Sequence, residues 1–296
     1  MALPDYLFPD YHSRVTLSVV IITFNEEANL PRTLESVKWA NEIVVVDSGS
    51  TDRTVEIAKS YGAKVWVEPW KGFAAQKNSA LEKATGDWVL SLDADEEVSA
   101  ELQAEIRWIL PASQQWNKEG MPVFGDPESQ EIGDRGLSYG LDEENVEGFH
   151  IPRTNIFLGR SIRHGGFYPD RKMRLFRKDT AAFEERLVHE DAHVKGNTLS
   201  LRNPLIHHAY PTLSSYIDHM NRYSSLGAEM KAGNRRVGFS FINIVLRPLF
   251  TFIYNYFFRL GFLDGREGLL LHMYHSVYVS WKYAKAWEIS RKAARG

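Results

Sequence analysis

The chain has 296 residues, 44% of them hydrophobic and 12% aromatic, enough to bury one large core or two smaller ones. Its formal net charge of -3 argues against a general nucleic-acid binder, so no nucleic-acid partner is expected. The absence of cysteine excludes disulfide staples, thiolate metal sites and thiol nucleophiles. No basic stretch followed by an apolar one opens the sequence, so no secretory signal is expected and a reducing, cytoplasmic compartment fits.

In chain order, residues 17–22 form the first apolar run and are expected as a buried strand. A short helix follows over 29–37, with Pro31 in its first turn, where proline is tolerated. Residues 42–47 are the second strand, an Ile-Val-Val-Val run that ends in Asp47. Ser50 or Thr51 is expected to cap the next helix, which runs to about Tyr61 and stops at Gly62. A third strand is expected over 64–67, and a helix over 74–83 closed by Gly86. The strand beginning at Trp88 runs into Asp93 and Asp95, and a further helix covers about 99–110. Strands alternating with helices imply an α/β fold with a mostly parallel sheet and right-handed crossovers.

Residues 111–148 break this order. Between Met121 and Glu147 there are eight acidic side chains against one arginine, which reads as a mobile acidic insertion. Short strand-like runs at 148–151 and 173–177 precede helices that begin after about Leu213. The expected division is a catalytic domain over 1–212 and a helical extension over 213–296. Within the extension, Phe239, Ile242, Leu246, Leu249, Ile253, Phe257 and Leu260 recur at helical spacing. Between Phe239 and Leu263 the longest uncharged stretch, 248–258, is only eleven residues, whereas a spanning helix needs about 20. The last fifteen residues carry five Lys or Arg against one Glu. Aromatic amphipathic helices beside basic residues suit a membrane interface; a buried face in a homo-oligomer is the alternative.

Four segments meet at the carboxyl ends of the expected strands, where open α/β sheets bind ligands. They are Thr23-Phe24-Asn25-Glu26, Asp47-Ser48-Gly49-Ser50-Thr51-Asp52, Gln76-Lys77-Asn78 and Asp93-Ala94-Asp95. On an extended chain, carboxylates at i and i+2 point to one side and can hold a hard divalent cation. Each segment alone is ordinary turn or capping chemistry. From Arg160 to Lys178 there are seven Lys or Arg and one Asp, a source of cationic stabilisation for a departing anion. Arg174, alternating with apolar Met173 and Leu175, is the expected diphosphate contact.

The runs Ser18–Glu26, Val46–Thr54 and Leu92–Glu96 together resemble family-2 glycosyltransferases of the GT-A fold. The later Gly165-Gly166-Phe167-Tyr168-Pro169-Asp170, Arg174-Leu175-Phe176-Arg177 and Val188-His189-Glu190 are similar to the branch with lipopolysaccharide-core β-1,4-glucosyltransferases. The resemblance implies that Asp47 contacts a nucleobase, that Asp93 contacts the ribose, and that Asp95 binds Mg2+ or Mn2+ bridging the donor diphosphate. Many members carry Glu-Asp beyond the metal motif as the base. Here Val188-His189-Glu190-Asp191 stands instead, which makes Glu190 the first choice, Asp191 its nearest rival and His189 an orienting group. His207 and His208 are expected just after a strand, His208 as a further metal ligand.

The implied activity is inverting, metal-dependent transfer of a hexose, glucose from UDP-glucose in the first instance. The implied acceptor is a hydroxyl of a membrane-associated glycolipid or lipopolysaccharide core, which places the enzyme peripherally on the inner face of the cell membrane. Two other classes compete. A sugar nucleotidylyltransferase would want a glycine-rich loop after the first strand, and Thr23-Phe24-Asn25-Glu26-Glu27 has no glycine. A non-catalytic sugar-nucleotide scaffold is disfavoured by the presence of both Asp95 and Glu190.

Overall fold

The computed structural model describes residues 15–110, 115–116, 122–123, 146–184, 192–234 and 237–293. The expected acidic insertion over 111–148 lies mostly outside them; within it Gln115–Trp116 (β6) pairs antiparallel with Pro122–Val123 (β7). The chain divides into two compact units, residues 1–152 with 171–205, and residues 153–170 with 206–296.

The first unit begins with β1 (Leu17–Thr23), α1 (Leu30–Val37), β2 (Glu42–Asp47), α2 (Thr54–Ser60), β3 (Lys64–Val67), α3 (Phe73–Lys83), β4 (Trp88–Asp93), β5 (Glu96–Val98) and α4 (Ala100–Ile109). After β7 come β8 (Val146–Phe157), β9 (Arg160–Ile162), β10 (Asp170–Arg177), β11 (Ala181–Phe183), β12 (Ala192–Val194) and β13 (Asn197–Ser200). β3, β2, β1 and β4 lie side by side and parallel, with β10 antiparallel on the far side of β4 and β8 beyond it. This is the mixed α/β sheet of the GT-A type. Val19, Ile21, Ile43 and Val45 feed one core cluster, while Val20, Val44 and Val46 feed the other. Successive residues face opposite sides, so a sheet covered on both faces needs unbroken apolar runs, as β1 and β2 have.

The edge of the sheet opposite the candidate site is held by Glu42. Its carboxylate accepts from Ser18 Oγ at 2.5 Å, Thr85 N at 2.7 Å and Lys64 Nζ at 2.6 Å. Gly86 also donates to Ser18 Oγ, and a Cβ there would lie 2.7 Å from that oxygen, so close approach dictates the glycine. Although burial opposes it, the bonds from Lys64, Ser18 and Thr85 pull the Glu42 carboxyl down to about 2. A carboxyl with a depressed folded pKa stabilises the fold above its unfolded value and loses that contribution as pH falls through the folded value. Glu42→Gln should therefore cost about 1–2 kcal/mol at neutral pH, allowing for the exposed Lys64. The deficit should shrink in urea melts as pH falls from 4.5 toward 2. A deficit independent of pH would remove the ionised carboxylate as its cause.

Two local expectations are corrected. Ser50 and Thr51 do not cap α2, which starts at Thr54; Ser50 Oγ turns back to Asp47, and Asp52 Oδ1 accepts from Thr54 N at 3.0 Å instead. Gly86 does not close a helix directly, since α3 ends at Lys83.

The second unit contains the far half of β8, β9, β14 (Leu205–Tyr210), α5 (Leu213–Asn234), α6 (Arg247–Ile253) and α7 (Gly265–Ala293). Phe157, Ile162, Tyr216 and Leu271 form its core. π-helical turns at Ile242–Leu246 and Tyr254–Phe258 flank α6. The helical spacing read from Phe239 therefore ends at Phe258, and Leu260 sits outside it at φ 61°. Buried Asp264 accepts from the backbone of Arg163 and His164 and lies 2.8 Å from His164 Nδ1. Lys285, counted in sequence with the basic tail, is committed to α5: its Nζ donates to Asn221, Ser224 and Ser225. No helix among the described residues is long and apolar enough to cross a membrane.

Candidate active site

Strand register assembles the site. Thr23 pairs with Asp47 and Ile22 with Asp93, so the two aspartates flank the end of β1 at one edge of the sheet. With strands about 4.8 Å apart, that sets them roughly 10 Å from each other. The loops after β1 and β2 are zipped together: Asn25 N donates to Ser50 Oγ, Asn25 Oδ1 accepts from Thr51 N, and Glu26 N donates to Thr54 Oγ1. Asn25 adopts φ 55°, a left-handed conformation that asparagine tolerates better than most residues.

Asp47 is fully buried and organises its own turn. Its Oδ1 accepts from the amides of Gly49 and Ser50 at 3.0 and 2.8 Å, and its Oδ2 from Thr23 Oγ1 at 2.9 Å.

Asp93 stands between two cations. Lys77 Nζ, on α3, reaches Oδ1 at 2.8 Å, and Arg174 Nη2, on β10, reaches Oδ2 at 2.6 Å. Arg174 also donates to Glu96 Oε1 at 2.6 Å, and Glu96 accepts from Asp93 N at 3.0 Å. Glu96 is fully buried and Arg174 nearly so. Burial disfavours the Arg174 cation, but Asp93 and Glu96 outweigh it and hold its pKa above the ordinary value. Arg174 thus binds the protein's own carboxylates.

The chain is not extended through Asp93-Ala94-Asp95. Ala94 and Asp95 form a tight turn between β4 and β5, with Ala94 O accepting from Thr33 Oγ1 at 2.7 Å. The i, i+2 alternation expected from sequence therefore does not apply. The acidic character of this edge appears at Glu26, whose carboxyl accepts from Asn29 Nδ2 at 2.9 Å. Burial raises its pKa, the Asn29 bond works against that, and Asp95, Asp52 and Asp93 push it further up.

Of Gln76, Lys77 and Asn78, which lie inside α3 rather than at its start, Lys77 touches Asp93, whereas Asn78 exchanges two 2.8 Å bonds with the backbone of Phe183. Gln76 is fully buried, and its amide oxygen and nitrogen meet no hydrogen-bond partner among the described residues. His207 and His208 lie within β14 rather than after a strand, so they face opposite sides of it. His207 Nδ1 is 2.7 Å from Asn155 Oδ1 in the second unit. His189, Glu190 and Asp191 lie outside the described residues.

Sequence reasoning missed Glu96 and Thr33. A glutamate directly after an Asp-x-Asp run is the available signal for Glu96; its partner stands 78 positions away and leaves no local trace.

Comparison with known proteins agrees with this geometry. The model of the glycosyl transferase family 2 matches residues 18–108, which contain β1 to α4 and all of the acidic edge. An uncharacterised glycosyltransferase of Rickettsia typhi, RT0209, is 31% identical over 290 residues, covering 94% of this chain and 88% of that one. The lipopolysaccharide core biosynthesis glycosyltransferase LpsC of Rhizobium meliloti is 29% identical over 291 residues, covering 95% of this chain and 96% of that one. The mannosyltransferase PcManGT of Pyrobaculum calidifontis, solved with GDP-Man and Mn2+, superposes with a TM-score of 0.47 at 16% identity over 98% of this chain and 90% of that one. That likeness is too loose to carry substrate or metal across. With a relative above 30% identity along nearly the whole length and a family match over the strands that build the acidic edge, the chain belongs to glycosyl transferase family 2 and is a glycosyltransferase.

Proposed function

We propose that the protein is an inverting, metal-dependent enzyme that moves glucose from UDP-glucose to a hydroxyl of a membrane-associated glycolipid or lipopolysaccharide-core acceptor. The observation that carries this reading is the sheet edge where Asp93 is fixed between Lys77 and Arg174 beside the acidic Glu26, Asp52 and Asp95. Likeness to LpsC supports the acceptor class and, with it, a place on the inner face of the cell membrane.

In this reading Asp47 and Thr23, braced by the Gly49-Ser50 turn, read the nucleobase, while Asp93 holds the ribose. Asn25, Gln76 and Asn78 line the donor side, and the orphaned Gln76 amide has bonding capacity to offer. Arg174 serves the site by holding Asp93 and Glu96 in place rather than by reaching the diphosphate.

Mg2+ or Mn2+ at Asp95 would supply Lewis-acid stabilisation of the departing diphosphate. The residues fit such an ion in kind: the donors are hard carboxylate oxygens, and the acidic crowding that raises Glu26 would be relieved by a dication. Among the described residues no three His, Asp or Glu are grouped to hold a metal, so protein ligands would be few. Magnesium commonly takes one or two carboxylates and completes its shell with substrate phosphate and water.

Glu190, or Asp191 beside it, takes the proton of the acceptor hydroxyl as it attacks the anomeric carbon. Glu190→Gln should bind UDP-glucose as the parent does yet lose on the order of 10²–10⁴ in transfer rate. Single-turnover assays on Glu190→Gln and Asp191→Asn decide between them. A fully active Glu190→Gln beside a dead Asp191→Asn moves the base by one residue, and failure of the parent to cleave any nucleotide sugar overturns the reading.

A further inference from the structure

Within the second unit, the run from Phe239 to Leu263 presents an apolar ridge. Ile242, Leu246, Phe250, Tyr254 and Phe258 form one row at i, i+4 spacing. Val245, Leu249, Ile253 and Phe257 form the neighbouring row, and exposures across the two run from 37% at Ile253 to 74% at Phe258. At roughly 100 Å2 for each half-exposed large side chain, the ridge exceeds the few hundred Å2 that a soluble monomer typically shows as its largest patch.

The back of the ridge is fastened to α7: Pro248 is buried, Ser280 Oγ donates to Ile244 O at 2.8 Å, and Arg247 reaches the Tyr283 hydroxyl and ring. The apolar rows are therefore an outer face of a packed helix pair.

Arginine stands at both ends of the ridge. At its C-terminal end, Arg259 lies over the Tyr254 ring, and Arg160 Nη2 donates to Leu263 O at 3.3 Å while its other nitrogen lies 3.9 Å from Glu267. At its N-terminal end, Phe239 packs on Trp287 with ring centroids 5.3 Å apart, and Arg291 stacks on the other partner of that pair, Trp287, at 5.5 Å. Between Gly238 and Leu263 there is no Asp or Glu. A second copy laid on this ridge by a two-fold axis would find no acid within 238–263 to meet Arg247 and Arg259. An anionic lipid surface offers hydrocarbon for the rows and phosphate for the arginines, whose apolar stems can lie along the ridge while their heads stay in water.

We infer that this ridge is a monotopic docking surface for an anionic bilayer, lying in the interface plane, with Arg259 and Arg291 meeting lipid phosphates. The inference rests on the reading that the acceptor is membrane-borne, and it names the surface that brings the enzyme there. Lys285 takes no part, being held by α5.

The test is flotation of the full-length protein with phosphatidylcholine vesicles, with and without phosphatidylglycerol. The parent should float with the mixed vesicles, and Phe250→Glu/Phe258→Glu, both at exposed positions, should lower partitioning at least about tenfold with an unchanged melting temperature. Arg291→Glu should weaken binding to anionic vesicles about fivefold per unit of charge removed and flatten its salt dependence, with little change on neutral ones. Flotation needs no turnover, so loss of flotation with nucleotide-sugar cleavage intact separates the docking surface from the chemistry. A parent protein that stays with neither vesicle overturns the inference. So does a detergent-free dimer that Phe250→Glu/Phe258→Glu splits into monomers, which would assign the ridge to a second copy.

Discussion

Asp95→Asn should leave the protein folded and lower sugar transfer by on the order of 10²–10⁴-fold. An amide is a poorer ligand than a carboxylate for a hard dication, and Lewis-acid stabilisation of a departing diphosphate is worth several kcal/mol, about one decade for each 1.4 kcal/mol. Asp95 lies in the turn between β4 and β5, and its charge pushes the Glu26 carboxyl up. Calorimetric titration of donor with and without Mn2+ should show the metal-dependent part of the affinity disappear together with turnover. Unchanged transfer in Mn2+ would take Asp95 out of the metal site.

The largest stability effect is expected at Arg174. Arg174→Met keeps an apolar stem of similar length but leaves Glu96, fully buried, without its cation. Breaking a buried pair from one side costs about 3–5 kcal/mol, or on the order of 10 °C in melting temperature for a unit of this size. Adding Glu96→Gln should return part of that loss, because the stranded charge is gone, while Asp93 keeps Lys77. A single variant that melts like the parent would show that the pair contributes no net stability. A double variant no better than the single one would show that the penalty is not electrostatic.

The parallel half of the sheet was legible because its signals are local. β2 and β3 are short Val/Ile-rich runs bounded by Asp, Gly or Glu, and both begin and end where the sequence places them. Convergence of Thr23, Asp47, Asp93 and Lys77 was legible for the same reason: strand ends in a parallel sheet share an edge. What escaped was any fact set by a side chain's particular partner or by the exact path of a turn. Ser50 looks like a cap until Asp47, three residues before it, is seen to claim its hydroxyl. Arg174 reads as an open cation until Asp93 and Glu96 are seen to occupy it. Asp93 and Asp95 look like neighbours on a strand until the chain turns between them. Lys285 looks like part of a solvated tail until α5 packs beside it.

Lys77, Asp93, Arg174 and Glu96 carry two positive and two negative charges at one place. Such a set can be inherited only in balanced states. A lineage that drops Arg174 must shed Glu96 in the same step or pass through an intermediate with a stranded buried anion. Related sequences should therefore show the two lost together or kept together.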